Sequence, residues 1–446
     1  MKTVLFLFLF ICITRTNAQS CFNHADTSFV VGFSPEAVIF ADLNNDGKKD
    51  MAVSSDGLGF TSILLGTGTG SFIPAPHIGG DAAGIVSADY NSDSNIDLAI
   101  VNYNTNDVSI FLGTGTGSFG AATNFSVGNY PLSICKADFN GDLKWDLAIT
   151  NNNSNNISIL LGTGTGSFAS ATNFTVNSGP FFITSNDFNG DGNADLAVAH
   201  FFLSNISILL GNGAGAFNVV SNFTLNGQPC SISCDDYNND SKIDIATANF
   251  SSQNVSILLG SGTGTFGAAT NCSVGINPGS ICNDDFNGDG KKDLAVANYG
   301  SNNISVLLGT GTGSFGSSIN FYAGLGPNMI SSGDLNGDNR ADLATTNENS
   351  NKVTILLNCL PLSLNSFDDS QQLDIFPNPA SESITIKTND INKSIIDLYD
   401  MYGKKVLTKI LLNSNEINVR EFDNGLYTLS VKNDFGTINK KLVITR

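Results

Sequence analysis

One acidic, asparagine-rich hexapeptide occurs seven times in this chain, and its spacing constrains the fold more than any other feature. The copies are DLNNDG, DYNSDS, DFNGDL, DFNGDG, DYNNDS, DFNGDG and DLNGDN, which start at Asp42, Asp89, Asp138, Asp187, Asp236, Asp285 and Asp334. The first interval is 47 residues and the other five are 49 residues each. A fixed period between about 20 and 50 residues indicates a repeat architecture in which each repeat is one supersecondary unit.

Each repeat predicts four short β-strands. In residues 138–186 the polar loop DFNGDLKWD precedes the apolar segments LAIT and ISILLG, the turn GTGTGSF, and the segments ATNFTV and FFITSN. Turn signals at every joint favour an antiparallel four-stranded sheet. The strands are apolar at nearly every position, which is typical of sheets covered on both faces. Seven such repeats predict an all-β fold, a seven-bladed β-propeller.

The two ends of the repeat array favour a closed ring over an open solenoid. Glycine-rich turns end at phenylalanine in six repeats, but the seventh repeat stops at VTILLNCLPL without an outer strand. The segment TSFVVGFSP (27–35), before the first hexapeptide, aligns with TNFSVGNYP (123–131) of a later repeat. We therefore expect the N-terminal strand to complete the last blade, which removes two sheet edges at once.

Two cysteines lie at this expected closure. Cys359 stands where the seventh glycine turn should begin, and Cys21 stands where it should end. A disulfide between them would lock the ring, although two unrelated cysteines would fit the same positions. The chain encodes eight cysteines, and Cys12 lies in the N-terminal apolar run. No pairing is predicted for the remaining five, which are Cys135, Cys230, Cys234, Cys272 and Cys282.

The acidic loops follow the pattern Asp-x-Asn-x-Asp-x-x-x-Asp. Oxygen ligands at positions 1, 3, 5, 7 and 9 of a tight turn suit calcium better than magnesium, which tolerates such crowded cages poorly. We expect up to seven Ca²⁺ ions, with the seventh residue contributing its backbone carbonyl. The expected ligands are Asp42, Asn44, Asp46, Lys48, Asp50; Asp89, Asn91, Asp93, Asn95, Asp97; Asp138, Asn140, Asp142, Lys144, Asp146; Asp187, Asn189, Asp191, Asn193, Asp195; Asp236, Asn238, Asp240, Lys242, Asp244; Asp285, Asn287, Asp289, Lys291, Asp293; Asp334, Asn336, Asp338, Arg340 and Asp342.

A metal-free alternative exists, because Asp and Asn also form Asx-turns by accepting bonds from their own backbone. Mutual repulsion of three nearby carboxylates argues for a cation. The loops are not EF-hands, which need a glutamate at position 12. Position 6 needs a residue that tolerates the left-handed conformation. It is glycine in three loops and Leu143 in the third loop, which is therefore the weakest expected site.

These features resemble the FG-GAP/VCBS repeat family. The resemblance covers residues 27–360 and rests on the Asp-rich loop, LAVAN, ISVLLGTGTGSFG and the 49-residue period. It implies that each Asp loop joins the first two strands of a blade and binds Ca²⁺. It also implies adhesion or ligand binding rather than a fixed chemistry, because a fold does not determine a function.

The two ends of the chain predict export. Residues 1–18 combine Lys2, an apolar run too short to cross a bilayer, and small residues before a cut near Ala18, which is typical of a secretory signal peptide. The propeller spans 19–360 and a polar linker spans 361–373. Residues 374–446, with FPNPAS, YDMYGKKV and DNGLYTLSV, form a small β-sandwich that resembles the sorting domain of the bacterial type IX secretion system. An ordinary binding sandwich is the alternative.

The net charge of −19 argues against nucleic acid and anionic membranes as partners, and no apolar run predicts a transmembrane segment. The three histidines do not recur with a partner, so we expect a non-catalytic binding module for a glycan or a surface protein, secreted or attached to the outer surface. A polysaccharide lyase or a structural spacer is the alternative. The expected ligand face lies opposite the Asp loops, unless its aromatic residues pack between blades: Tyr103, Tyr130, Phe181, Phe201, Phe202, Phe250 and Tyr299.

Overall fold

The computed structural model describes residues 21–56, 59–80, 82–359, 374–387, 394–400, 405–411, 416–433 and 436–445. The predicted signal peptide (1–18) and linker (361–373) lie outside the described residues. The chain divides into two compact units, Met1–Leu360 and Pro361–Arg446. In the described ranges both units consist of β-strands, with two short 3-10 turns at Phe201–Leu203 and Glu348–Ser350. No helix there is long and apolar enough to cross a membrane.

The described part of the first unit contains twenty-nine strands. They are β1 Cys21–Val30, β2 Pro35–Ala41, β3 Asp50–Ser55, β4 Phe60–Gly66, β5 Phe72–Pro74, β6 Ile78–Gly79, β7 Ala82–Ala88, β8 Asp97–Asn102, β9 Asp107–Phe111, β10 Thr123–Ser126, β11 Pro131–Ala137, β12 Asp146–Asn151, β13 Asn156–Leu160, β14 Thr172–Thr175, β15 Pro180–Asn186, β16 Asp195–His200, β17 Asn205–Gly211, β18 Phe217–Thr224, β19 Pro229–Asp235, β20 Asp244–Asn249, β21 Asn254–Leu258, β22 Thr270–Ser273, β23 Pro278–Asp284, β24 Asp293–Asn298, β25 Asn303–Leu307, β26 Ile319–Tyr322, β27 Pro327–Gly333, β28 Asp342–Asn347 and β29 Lys352–Cys359.

These strands form seven antiparallel sheets, which confirms the predicted seven-bladed propeller. Blades 1 to 6 are β2–β6, β7–β10, β11–β14, β15–β18, β19–β22 and β23–β26, and blade 7 is β27, β28, β29 and β1. The first strands of neighbouring blades contact one another around the whole ring, including β27 against β2. These first strands therefore surround the axis. In blade 1 the outer strand is broken into β5 and β6, because the intervening segment contains Pro76 and proline cannot donate to a sheet ladder.

The second strand of each blade is fully buried, which explains the two apolar residues that follow its first aspartate in every blade. All six residues of every second strand, from Asp50–Ser55 in blade 1 to Asp342–Asn347 in blade 7, are buried. Core clusters join neighbouring blades: Ala99 and Val101 of blade 2 pack in one cluster with Leu147 and Ile149 of blade 3. The core of the propeller therefore lies between the sheets, and each blade depends on its two neighbours.

The N-terminal strand closes the ring as expected. Strand β1 pairs with β29 in antiparallel register, with Phe22 opposite Asn358 and Cys21 opposite Cys359. It begins earlier than the aligned segment 27–35 and has a register irregularity between His24 and Ser28. The Cys21–Cys359 disulfide itself stays a prediction, because the two side chains lie outside the described part of the structure.

The second unit is a small β-sandwich. Its strands are β30 Asp374–Phe376, β31 Ser383–Lys387, β32 Ser394–Tyr399, β33 Lys405–Leu411, β34 Glu416–Asn418, β35 Gly425–Asn433 and β36 Gly436–Ile444. One sheet has the order β30-β31-β34 and the other β33-β32-β35-β36. Ile384 and Ile417 of the first sheet share one buried cluster with Leu398 and Leu429 of the second. The FPNPAS segment holds the final strand, since Asn378 accepts from Val443 N–H and donates to Lys441 O.

Candidate functional site

The Asp loops fold as closely hydrogen-bonded turns, and the loop of blade 4 is representative. Asp187 accepts bonds from the backbone N–H groups of Gly190, Asp191 and Gly192, at 2.7, 3.2 and 2.8 Å. Asn189 Oδ1 accepts from Asp191 N–H at 2.9 Å. Asp191 Oδ1 in turn accepts from Asn193 N–H at 2.8 Å. The side chains at positions 1, 3 and 5 thus stabilise the loop by accepting from its own backbone, as in Asx-turns.

The ninth-position aspartate of each loop lies inside the blade. Asp195 Oδ2 accepts from Phe188 N–H at 3.0 Å, and its Oδ1 accepts from Gly211 N–H at 2.8 Å. The same pair of bonds occurs in the other six blades. Burial raises the pKa of Asp195 to about 6, against the lowering effect of the two amides. This residue fastens the Asp loop to the start of the glycine turn.

Position 6 adopts the left-handed conformation in all seven loops. The φ angle is +80° at Gly47, +84° at Gly192 and +79° at Gly290, and it is also positive at the Ser and Asn residues of three other loops. Leu143 of the third loop has φ +62° and is 94% exposed. A left-handed leucine carries a backbone cost of about 1–2 kcal/mol. This backbone strain therefore occurs in the third loop, which the sequence ranks as the weakest expected calcium site.

Basic residues at position 7 pair with the fifth-position aspartate in five loops. Lys48 Nζ lies 3.2 Å from Asp46 Oδ2, and Lys144, Lys242, Lys291 and Arg340 make the equivalent pair. These pairs are solvent-exposed and contribute little to stability. Each one offsets a single charge of a loop that contains three aspartates.

The donor set of each loop fits a hard cation, since carboxylate, amide and carbonyl oxygens surround one turn. A carboxylate also has about four lone-pair sites, so one bond per oxygen does not exhaust it. The carboxylates nevertheless turn toward backbone amides. No group of three or more His, Cys, Asp or Glu side chains is placed to hold a metal ion within the described ranges.

Glycine turns connect blades 1 to 6 to the Asp loop of the preceding blade, so both features lie on one face, here called the Asp-loop face. Gly215 N–H of blade 4 donates to Phe139 O in the Asp loop of blade 3 at 2.9 Å. The rings of Phe139 and Phe217 stack edge-to-face, with centroids 5.4 Å apart. A Cβ on Gly211, at the start of this turn, would collide with Ala194 O. Glycine is therefore a steric requirement at this position of blade 4.

Blade 7 lacks the glycine turn, and two residues of the closing strands replace its contacts. Asn358 Nδ2 donates to Phe286 O at 2.9 Å and to Ala341 O at 3.1 Å. Phe22 packs against Phe286 with centroids 5.8 Å apart. The sequence analysis did not assign a role to Asn358, although the change from LLG to LLN marks the position.

The seven aromatic residues expected at the ligand face are on loops and strand ends at the other end of the blades, here called the distal face. The described part of the distal face includes loops 31–34, 103–106, 127–130 and 201–204 and their equivalents. Tyr130 and Phe202 are 41% and 72% exposed. Tyr103 and Tyr299 are half-buried, and their hydroxyls donate to Asp56 and Asn349.

The other three aromatic residues pack partly between blades, as the alternative interpretation expected. Phe181, Phe201 and Phe250 lie against one core cluster. The ring of Phe201 contacts Phe181 at 5.4 Å, Phe202 at 5.3 Å and Phe250 at 5.9 Å between centroids. Both interpretations therefore apply to this cluster, because its inner members are half-buried and Phe202 projects into solvent.

A cavity of about 250 Å³ lies at the ring axis and is lined by residues from all seven first strands. Its walls include Leu132, Phe181 and Met329, and Glu36 is the one acidic residue among the described lining residues. Burial, and then the nearby Glu348 and Asp56, raise the pKa of Glu36 to about 7. The repeat pattern did not identify this site. The sequence did mark this position, because Glu36 is acidic where the aligned repeats carry Leu132, Phe181, Cys230, Gly279 or Asn328.

Comparisons with known structures show the propeller fold. The N-terminal part of BBS1, crystallised in complex with ARL6, aligns with a TM-score of 0.57 at 14% identity, over 77% of this chain and 98% of that chain. A putative 6-phosphogluconolactonase from Bacteroides uniformis aligns at 0.50 and 17% identity, over 62% and 83%. The periplasmic gluconolactonase of Pseudomonas aeruginosa aligns at 0.50 and 12% identity, over 67% and 86%. At these identities the likeness concerns the fold alone.

Family models match both units of the chain, whereas no curated protein matches it in sequence. An FG-GAP-like repeat matches residues 42–100, 89–149, 138–198, 187–247 and 285–345, which together exceed half of the chain. A secretion system C-terminal sorting domain matches residues 374–445. The protein therefore belongs to the FG-GAP-like repeat family and carries a C-terminal sorting domain of the type IX secretion system.

Proposed function

We propose that this secreted or outer-surface propeller is a non-catalytic binding module that takes a glycan or a protein ligand on its distal face. The sorting domain implies the exported location. The proposal is that the Asp-loop face stabilises the ring and the distal face meets the ligand. One observation carries it, namely the aromatic path from the axial cavity to solvent. Phe181 lines the cavity, Phe201 stacks on Phe181, and the exposed Phe202 stacks on Phe201.

This aromatic path supports recognition because rings that are partly packed and partly exposed offer area at little cost in conformational entropy. Monomeric proteins seldom leave large apolar groups grouped at the surface without a partner. The distal face also exposes Leu203 in the same loop as Phe202, and Phe33, Ile276 and Leu325 in loops elsewhere on the ring. Aromatic and aliphatic groups in such numbers suit the faces of sugars and the side chains of a partner protein.

Alanine substitution of Phe202 and Tyr130 tests this assignment. The double variant should lose binding in glycan arrays and in whole-cell pull-downs while its melting temperature stays near that of the wild type, because both side chains are exposed. Trp145→Ala is the matched control, since this exposed ring lies in an Asp loop on the other face. Equal binding by the wild type, the double variant and Trp145→Ala would contradict the assignment of the ligand site to the distal face. Binding by none would indicate a spacer, and turnover of a polysaccharide would indicate an enzyme.

The proposal includes calcium as a structural component of the Asp loops. Ligands that bind the native state alone stabilise it by about 2.7 kcal/mol per site at a hundredfold excess over Kd. Excess chelator should therefore lower the melting temperature sharply, and calcium should restore it. Replacing Asp187 and Asp191 should reduce the calcium-dependent gain more than replacing Asp138 and Asp142, whose loop contains the strained Leu143. Superimposed melts with chelator and with calcium would leave the loops as plain Asx-turns.

A further inference from the structure

The walls and the size of the axial cavity limit the class of ligand that it could bind. This inference rests on the proposed function of the distal face as a binding surface. The walls come from one strand of each blade and are mainly apolar, with Leu132, Ile134, Phe182 and Met329 among them. A volume of about 250 Å³ accepts one long side chain or a small molecule, and no folded segment. A macromolecule can therefore reach this cavity only by inserting a single group.

One carboxylate sets the charge of this cavity. Glu36 is the second residue of β2 and lies at the distal end of this strand. Its two carboxylate oxygens accept long hydrogen bonds from Ser34 Oγ and Asn328 Nδ2, each at 3.3 Å. Glu348 and Asp56 add negative potential, and no basic group contributes to the pKa of Glu36. None of the described residues that line the cavity is basic. A half-buried carboxylate with two weak donors and two acidic neighbours is stabilised by a cation.

The apolar walls define what must carry that cation. A metal ion would find a single carboxylate among the described residues that line the cavity, and Glu36, Glu348 and Asp56 are not placed as a group that could hold a metal ion. An alkyl chain would instead cover the aliphatic walls, and its ammonium group could meet Glu36. The rings of Phe181 and Phe182 in the wall add cation–π attraction when the ammonium group passes their faces.

We propose that the axial cavity binds a primary ammonium group on a flexible alkyl chain, as carried by the lysine side chain of a partner protein. The exposed aromatic residues around the cavity would contact the surface from which that lysine projects. An amino sugar carries the same ammonium group, but its hydroxyl-rich ring would leave polar groups unpaired against Leu132 and Met329. The walls therefore favour the lysine chain over the sugar.

Direct titration of the full exported chain with five small probes tests this inference. The probes are n-pentylammonium, n-pentanol and pentanoate, which share one alkyl chain, together with Nα-acetyl-lysine methylamide and glucosamine. Calorimetric titration should give about tenfold tighter binding of the ammonium than of the alcohol, and no binding of the carboxylate, because one partly desolvated charge pair supplies that difference. The lysine derivative should bind more tightly than glucosamine. Equal binding of ammonium and alcohol, or preference for glucosamine, would overturn the proposal.

Two variants locate the charge. Glu36→Gln should reduce ammonium binding to the level of the alcohol, and Asn328→Lys should block the cavity by supplying an internal ammonium group. Ammonium preference that survives in both variants would also overturn the proposal. Whole-cell capture separates this result from the proposed function. Selectivity for ammonium without any captured surface ligand would contradict the proposed function alone, and capture that is unchanged in Glu36→Gln would contradict the cavity assignment alone.

Discussion

Replacing Asn358 tests how the ring closes. Its side-chain amide is buried and donates to Phe286 O and Ala341 O. Alanine would leave both carbonyl oxygens without these donors, and each buried group that loses its partner costs about 1–3 kcal/mol. We therefore expect Asn358→Ala to lower the free energy of unfolding by about 2–4 kcal/mol. Asn358→Asp should cost more, because it turns acceptor oxygens toward two carbonyls.

The closing contact should respond locally as well as globally. Hydrogen exchange of the β1 amides should speed up in Asn358→Ala much more than exchange in β12, since the backbone of β1 pairs with β29 on one side only, whereas β12 pairs on both sides. Asn151→Ala is the matched control. This buried asparagine also donates two bonds, to Asn156 Oδ1 and Ser158 Oγ, but both partners lie in the same blade. It should lower stability without selectively exposing β1.

Two results would refute this account of closure. One is a loss of stability below about 0.5 kcal/mol for Asn358→Ala, the range of an ordinary surface substitution. The other is equal stability of the alanine and aspartate variants, because the argument requires donors at this position rather than a side chain of a given size.

Three other changes should be equally informative. Leu143→Gly should raise the free energy of unfolding by about 1 kcal/mol, because glycine adopts the left-handed conformation without steric cost, whereas Leu143→Ala retains a Cβ and should not. A glycine variant that melts at a lower temperature than the wild type would contradict the inferred backbone strain at this position. His200 is buried and burial lowers its pKa to about 4, so the unfolded chain takes up this proton first, and the contribution of His200 to stability should fall as pH drops below about 6.5, by about 2 kcal/mol at pH 5. The difference in stability between the wild type and His200→Asn, the residue that blades 2, 3, 5, 6 and 7 carry at this point, should show this dependence in denaturant titrations at each pH. A difference that does not change with pH would exclude His200 as a source. Deleting residues 374–446 should leave the propeller inside the cell with its melting temperature intact, and continued secretion in a fractionation assay would contradict the sorting role.

The periodic part of the fold could be predicted from the sequence because every blade repeats one pattern of turns and buried strands. The missing seventh turn and the spare segment 27–35 were sufficient to predict closure and to place Cys21 opposite Cys359. The role of Asn358 could not be predicted, because a side chain there replaces a backbone amide of the other blades. The change from LLG to LLN marks the position, but the repeat pattern does not show which contact the new side chain makes.

The candidate sites were less predictable for a related reason. An aspartate at position 9 looks the same in sequence whether it holds a cation or accepts two amides, as Asp195 does. Glu36 lies in a strand with one axial neighbour, β7, about one repeat away, whereas Asn328 of its other neighbour, β27, is 292 residues away, so the surroundings of Glu36 depend on ring closure. The exposure of Phe202 and the packing of Phe181 likewise depend on contacts across blades.

The direction of β29 has a consequence for how the exported protein is presented. This strand leaves the distal loop at Glu348–Ser350 and ends at Cys359, beside the Asn358 contact on the Asp-loop face. Strand β1 begins at the same edge, since Cys21 lies opposite Cys359. The distal face therefore carries neither end of the described part of the propeller, since residues 21 and 359 both lie at the Asp-loop face, at the opposite end of the blades from the exposed Phe202.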